Sequence, residues 1–179
     1  AAEPQRPQDG RFREFTQADI DIVGNGTLAF HHEVEIPLVI IEALSKLPIP
    51  PVTVLVNNRK VVQGFCEGIG VEDVEQALRS IDKLDKIGPE GVAAEMREFG
   101  FAQEQVDRLL ELASLSGDDE KVLDDVRALG VSNELIDEGL EELGALLKAA
   151  AKRAPHRVRA DLKIARGLDY YTGTVYETM

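Results

Sequence analysis

Residues 158–177 read VRADLKIARGLDYYTGTVYE. β-Branched and aromatic residues over 158–164 and again over 170–177 make two strand-like pieces, and 166–169, with Gly167 and Asp169, supply a turn between them. Two short β-pieces bury too little apolar surface to stand alone, so they need strands from elsewhere in the chain. The residues immediately before them follow a different period. Val71, Val74, Leu78, Ile81 and Leu84 recur at three and four, as do Ile136, Leu140, Leu143 and Leu147, so 58–151 reads as a module of amphipathic helices. Pro89 suits the first turn of a helix, Ser116 with 118–120 resembles an acidic helix start, and Ser132 or Asn133 can cap the last helix.

Strand-like sequence returns on the far side of that module. Residues 52–56 form a short buried strand, preceded by a helix over 30–46 that tolerates Pro37 and is stopped by Pro48, Pro50 and Pro51. Residues 11–24 read as a further strand, with Ile20 and Ile22 on one face and Arg11, Arg13, Phe15, Gln17, Asp19 and Asp21 on the other. A sheet interrupted by a helical excursion predicts that the flanking β-pieces pair across it, which makes the fold α+β. The sequence opens at a polar turn and stops at Met179 directly after a strand, and it is expected to be a piece of something longer.

Composition narrows the class. The 179 residues are 44% hydrophobic and 30% charged, which excludes whole-chain disorder. The longest apolar runs, 36–41 and 52–56, fall far short of a membrane span. A single cysteine, Cys66, and a polar start without a signal sequence favour a cytoplasmic location. A net charge of −13 argues against a general nucleic-acid binder. The acid is concentrated over 118–142, which reads as a solvated face. Basic residues gather at Arg6, Arg11 and Arg13 and again at Lys152, Arg153, Arg157, Arg159, Lys163 and Arg166, where an anionic ligand is expected. His31, His32 and His156 show no metal-ligand spacing, so no protein-bound metal is expected.

Two segments carry chemistry. In 11–21, RFREFTQADID, forked guanidinium donors suit phosphate, an aromatic can stack a base, and an amide with a carboxylate can fix a small polar substrate. An exposed strand with cross-strand ion pairs fits the same spacing equally well. In 165–177, Gly167 permits close backbone approach, Arg166 can neutralise a phosphate, Asp169 can orient a neighbour, and Tyr170 and Tyr171 form an aromatic wall. A tyrosine-rich hairpin tip accounts for those residues as readily.

Taken in order, the two segments resemble motif 2 and the histidine signature of histidyl-tRNA synthetases, which are class II aminoacyl-tRNA synthetases. Arg6-Pro7-Gln8, Gly10-Arg11-Phe12-Arg13-Glu14-Phe15 and Gln17 are similar to the motif 2 loop and its returning strand. Arg166-Gly167-Leu168-Asp169-Tyr170-Tyr171-Thr172-Gly173 is similar to the histidine motif. The tracts Asn57-Asn58-Arg59-Lys60 and Asp82-Lys83-Leu84-Asp85-Lys86 extend the resemblance over essentially the whole chain. It implies part of a class II antiparallel sheet with helices, interrupted by an all-α insertion domain. The implied division is catalytic core at 1–57, helical insertion at 58–153, and catalytic core again at 154–179. Motif 1, motif 3 and the anticodon-binding domain would lie outside this stretch.

The implied activity is that of a histidine–tRNA ligase, which forms histidyl-adenylate from histidine and Mg–ATP and then charges the histidine tRNA. A homodimer is expected for the full-length parent, and poor activity for this stretch alone. Gln17, Asp21, Tyr170 and Tyr171 match histidine binders, with Asp21 meeting the imidazole. Arg166 matches the arginine that approaches the α-phosphate, which makes it the catalytic candidate and a further histidine-site residue. Phe15 matches the adenine-stacking aromatic, Glu3 the acid that reads the adenine amino group, and Arg11 a contact to the terminal phosphates. Arg6 and Gln8 match loop residues that meet the tRNA acceptor end. The competing family is the histidine-sensing regulatory subunit of ATP phosphoribosyltransferase, which resembles these synthetases without charging tRNA; the long helical insertion favours the synthetase.

Overall fold

The computed structural model describes residues 16–165 and 172–179, and the chain divides into two units, residues 1–32 and 33–179. In the first unit, residues 16–24 form no strand. Ile20 is 52% exposed and Ile22 only half-buried, so the expected apolar face is not a core face. Alternation marks a half-buried strand only where a neighbouring strand takes the ladder, and among the described residues none pairs with 16–24.

The second unit contains the expected long-range pairing. After α1 (His31–Ser45), β1 (Val54–Asn58) is buried at all five positions. Six helices follow: α2 (Arg59–Gly68), α3 (Val74–Ile81), α4 (Leu84–Glu98), α5 (Gln103–Ser114), α6 (Lys121–Ala128) and α7 (Glu134–Arg153). The two-residue strand β2 (Ser116–Gly117) sits between α5 and α6, and β3 (Val158–Asp161) and β4 (Thr174–Thr178) close the chain. The sheet order is β2-β3-β1-β4. β4 runs antiparallel to β1, with Asn57 opposite Val175, and β2 antiparallel to β3. β3 runs parallel to β1, with Val54 opposite Val158, so the sheet carries one parallel pair beside the expected antiparallel ones. A parallel neighbour needs a long crossover, and the helical excursion between β1 and β3 supplies it.

Local chemistry sets the helix ends. Asn58 and Asn133 accept hydrogen bonds from the backbone N–H of Lys60 and Ile136, capping α2 and α7. The periodic run 71–84 is two elements, because Asp82 and Lys83 turn the chain between α3 and α4. Gly88, at φ 71°, breaks α4, and Pro89 begins its second half as a first-turn proline. Ser116 lies in β2 rather than at a helix start; Asp119 instead accepts from the N–H of Lys121. Phe65, Leu78, Ile81, Met96, Leu109, Leu112, Ile136, Leu140, Leu143 and Leu147 are fully buried and form the helical core. α2 and α7 approach closely at Gly64 and Gly139, where a side chain would meet the backbone of the other helix.

Candidate functional site

The sequence places the histidine signature between β3 and β4, and the described residues on either side of it are firmly held. Asn57, at the end of β1, is fully buried. Its Nδ2 donates to the carbonyls of Leu162 (3.2 Å) and Ile164 (2.9 Å), and its Oδ1 accepts from the N–H of Asn58 (2.8 Å). On the returning side, the N–H of Arg59 donates to Gly173 O at 2.9 Å. Leu55, Ile164 and Val175 pack as an apolar floor. A cavity of about 10 Å³ lined by Arg59, Val62, Leu78, Ile164, Ala165 and Val175 is at the lower limit for one water, so this floor is filled by side chains.

α1 braces β4 from a second direction. The hydroxyl of Thr174 donates to a Glu33 carboxylate oxygen, and the Tyr176 phenol donates to the Glu33 carbonyl at 2.6 Å. Burial, reinforced by the negative charge of Glu33, pushes the Tyr176 phenol well above its ordinary value, which keeps it a neutral donor. Lys163, next to the entry point, bridges Asp85 (2.8 Å) and Asp161 (3.8 Å). The hydrogen bond to Asp85 raises the Lys163 ammonium despite some burial, whereas burial raises the Asp161 carboxyl against the pull of Lys163.

The helical module is tied to the same strand end. Asn58 Nδ2 donates to Glu142 at 2.7 Å, and Lys60 reaches Glu138 and Glu142 at 2.6 Å each. The acidic stretch 118–142 is therefore not wholly a solvated face, since Glu142 retains only 24% side-chain exposure. Three residues of the basic cluster near the end of the chain are committed to protein partners. Arg157 donates to Val52 O, Arg159 to the Ser116 hydroxyl, and Lys163 pairs with its acids, which leaves less open anion-binding surface than the sequence predicts.

Of the residues expected to act on substrate, two are described. Gln17 and Asp21 are both exposed, and Gln17 Nε2 donates to Asp19 at 2.7 Å. Glu3, Arg6, Gln8, Arg11, Phe15, Arg166, Tyr170 and Tyr171 lie outside the described residues, as does the turn expected at 166–169. Among the described residues, no group of His, Cys, Asp and Glu is arranged to hold a metal ion, and no helix is long and apolar enough to cross a membrane. Asn57 and Glu33 escaped sequence reasoning as site supports. An Asn at a strand-to-helix junction reads as a cap, and nothing local in Glu33 points to a strand about 140 residues away.

The chain matches the family described as histidyl-tRNA synthetase over residues 2–179. It belongs to the histidyl-tRNA synthetase family. It is 53% identical to the histidine–tRNA ligase of Micrococcus luteus over 98% of its own length, which is 38% of that relative. The chain thus spans about two fifths of the length of the curated relatives it matches. The crystal structure of histidyl-tRNA synthetase from Nostoc sp. PCC 7120 is similar with a TM-score of 0.79 at 30% identity, covering 86% of this chain and 37% of that one. A Bacillus halodurans protein described as an ATP phosphoribosyltransferase regulatory subunit/histidyl-tRNA synthetase shares the fold at a TM-score of 0.71 and 22% identity, covering 87% of this chain and 40% of that one. Against these synthetases, the buried mixed sheet with its helical excursion is the family's α+β architecture, in which the two sequence motifs flank the helices.

Proposed function

We propose that the whole protein is a cytoplasmic, homodimeric histidine–tRNA ligase, and that this stretch alone is poorly active. A carboxylate oxygen of histidine attacks the α-phosphorus of Mg–ATP. The bond to the bridging β-phosphate oxygen breaks and pyrophosphate leaves. A ribose hydroxyl at the end of the histidine tRNA then attacks the adenylate carbonyl, losing its proton as AMP departs. The observation that carries this reading is the family match across 2–179, which includes both motifs in order.

Within that reading, Asp21 selects the imidazole by accepting its N–H, aided by Gln17, Tyr170 and Tyr171. A site built around such a hydrogen bond rejects amino acids that lack it. Arg166 stabilises the charge that develops at the α-phosphate. Phe15, Glu3 and Arg11 hold ATP, and Arg6 and Gln8 meet the acceptor end. Residues 58–153 act as the insertion that faces the acceptor stem, a division supported by α2 to α7 lying between two neighbouring strands of one sheet.

Histidine-dependent ATP–pyrophosphate exchange by the full-length protein tests the assignment. Asp21→Ala should raise the histidine KM, whereas Arg166→Ala should slow adenylation more than it weakens histidine binding; the same change from both would contradict these roles. Histidine binding without exchange would favour the regulatory-subunit reading instead.

A further inference from the structure

We propose that Asn57 is a positioning residue for histidine activation, fixing the base from which the chain enters and leaves residues 166–171. The proposal rests on the ligase reading above. β3 ends at Asp161, so the carbonyls of Leu162 and Ile164 lie beyond its ladder, and the carboxamide of Asn57 takes both. The opposite edge of the same amide accepts the Asn58 N–H. This fixes its orientation: two acceptors face the NH₂ and one donor faces the oxygen. Asp keeps the shape and the acceptor but loses both donors, and Leu loses all three bonds. Two residues further on, the Arg59 N–H holds Gly173 O, and Thr174 is held by Glu33.

Asn57, in the buried strand β1, and Arg59, at the start of α2, therefore hold the chain on both sides of residues 166–171. A buried amide that donates to two carbonyls at once favours one backbone path, because a displaced path breaks both bonds. The residues assigned to histidine and the α-phosphate, Arg166, Tyr170 and Tyr171, fall by sequence between those two anchors. Asn57 takes its role through these two anchors, as a positioning residue.

The test uses full-length Asn57→Asp in steady-state ATP–pyrophosphate exchange, well below its melting temperature. The histidine KM should rise about tenfold while the ATP KM stays within about twofold. A purely structural role reduces the fraction of folded enzyme, lowering kcat per mole with both KM values unchanged, and that result overturns the proposal. If Asn57→Asp does not fold, Asn57→Ser keeps one neutral donor at the same position but cannot reach both carbonyls. It should raise the histidine KM by about threefold, and an unshifted KM overturns the proposal. Wild-type protein without exchange would sink the ligase reading; normal wild-type exchange with an unshifted variant sinks the positioning role alone.

Discussion

Gly139→Ala probes the close approach of α7 to α2 within the helical module. A methyl group at Gly139 would stand 2.7 Å from the backbone nitrogen of Val61 and 2.9 Å from Lys60 Cβ and Val61 Cγ2. Ordinary contact between heavy atoms begins near about 3.5 Å, so α2 has to retreat by roughly 0.8 Å. Backbone cannot rotate away as a side chain can. Overpacking of this kind costs about 1–3 kcal/mol, and the better helix propensity of alanine returns about 0.8–1 kcal/mol, leaving a net loss of up to about 2 kcal/mol. Gly144, on the same helix, is the internal control: a methyl there meets only the terminal Cδ1 of Leu123, at 2.8 Å. That methyl can swing aside, so Gly144→Ala should be neutral or stabilised by up to about 1 kcal/mol. In urea unfolding of the chain followed by circular dichroism, with a slope of about 2 kcal/mol/M, Gly139→Ala should lower the midpoint by up to about 1 M without changing the slope. A midpoint for Gly139→Ala equal to or above that of Gly144→Ala would refute the close-approach argument.

Three further outcomes follow from the geometry. Asn58→Ala removes the α2 cap and the partner of Glu142, and should cost about 1–2 kcal/mol in the same unfolding assay; a loss under about 0.3 kcal/mol would show the cap to be redundant. Burial, with a smaller push from Glu67, raises the Cys66 thiol to about 12, so a thiol reagent near pH 8 should label the native chain no faster than the chain opens, and immediately in urea. Lys83 first, then Ser80, hold the Glu95 carboxyl below its ordinary value of 4.5. The stability from that pairing is present above the unfolded value and is lost as pH falls through the lower folded one. Glu95→Gln should therefore flatten the acid limb of the stability profile below about pH 4.5, and an unchanged limb would count against the pairing.

The sequence made the helices legible because burial repeats every three to four residues along them. Val74, Leu78 and Ile81 are one face of α3, and Ile136, Leu140, Leu143 and Leu147 one face of α7. It also made the pairing across the excursion legible, since short β-pieces have no other way to bury their surface. Strand direction was not legible: nothing in 52–56 or 158–164 distinguishes a parallel from an antiparallel neighbour, and β3 runs parallel to β1. The alternation over 16–24 misled because a period of two describes faces, while burial needs a partner. In the candidate site, most of the residues proposed from the motifs lie outside the described residues, and the neighbouring supports are what the structure adds. Those supports were not legible, because Asn57 and Glu33 act through carbonyls and a hydroxyl more than 100 positions away. The partners of the basic residues near the end of the chain were hidden for the same reason, as Asp85 and the Val52 carbonyl cannot be assigned to Lys163 and Arg157 from local sequence.

The most direct measurement is charging of purified histidine tRNA by the full-length protein with radiolabelled amino acids and Mg–ATP. The account predicts acid-precipitable label with histidine, at a rate that falls sharply in Arg166→Ala, and none with the other amino acids. Histidine held by the protein at equilibrium, with no label reaching the tRNA under any condition, would contradict it.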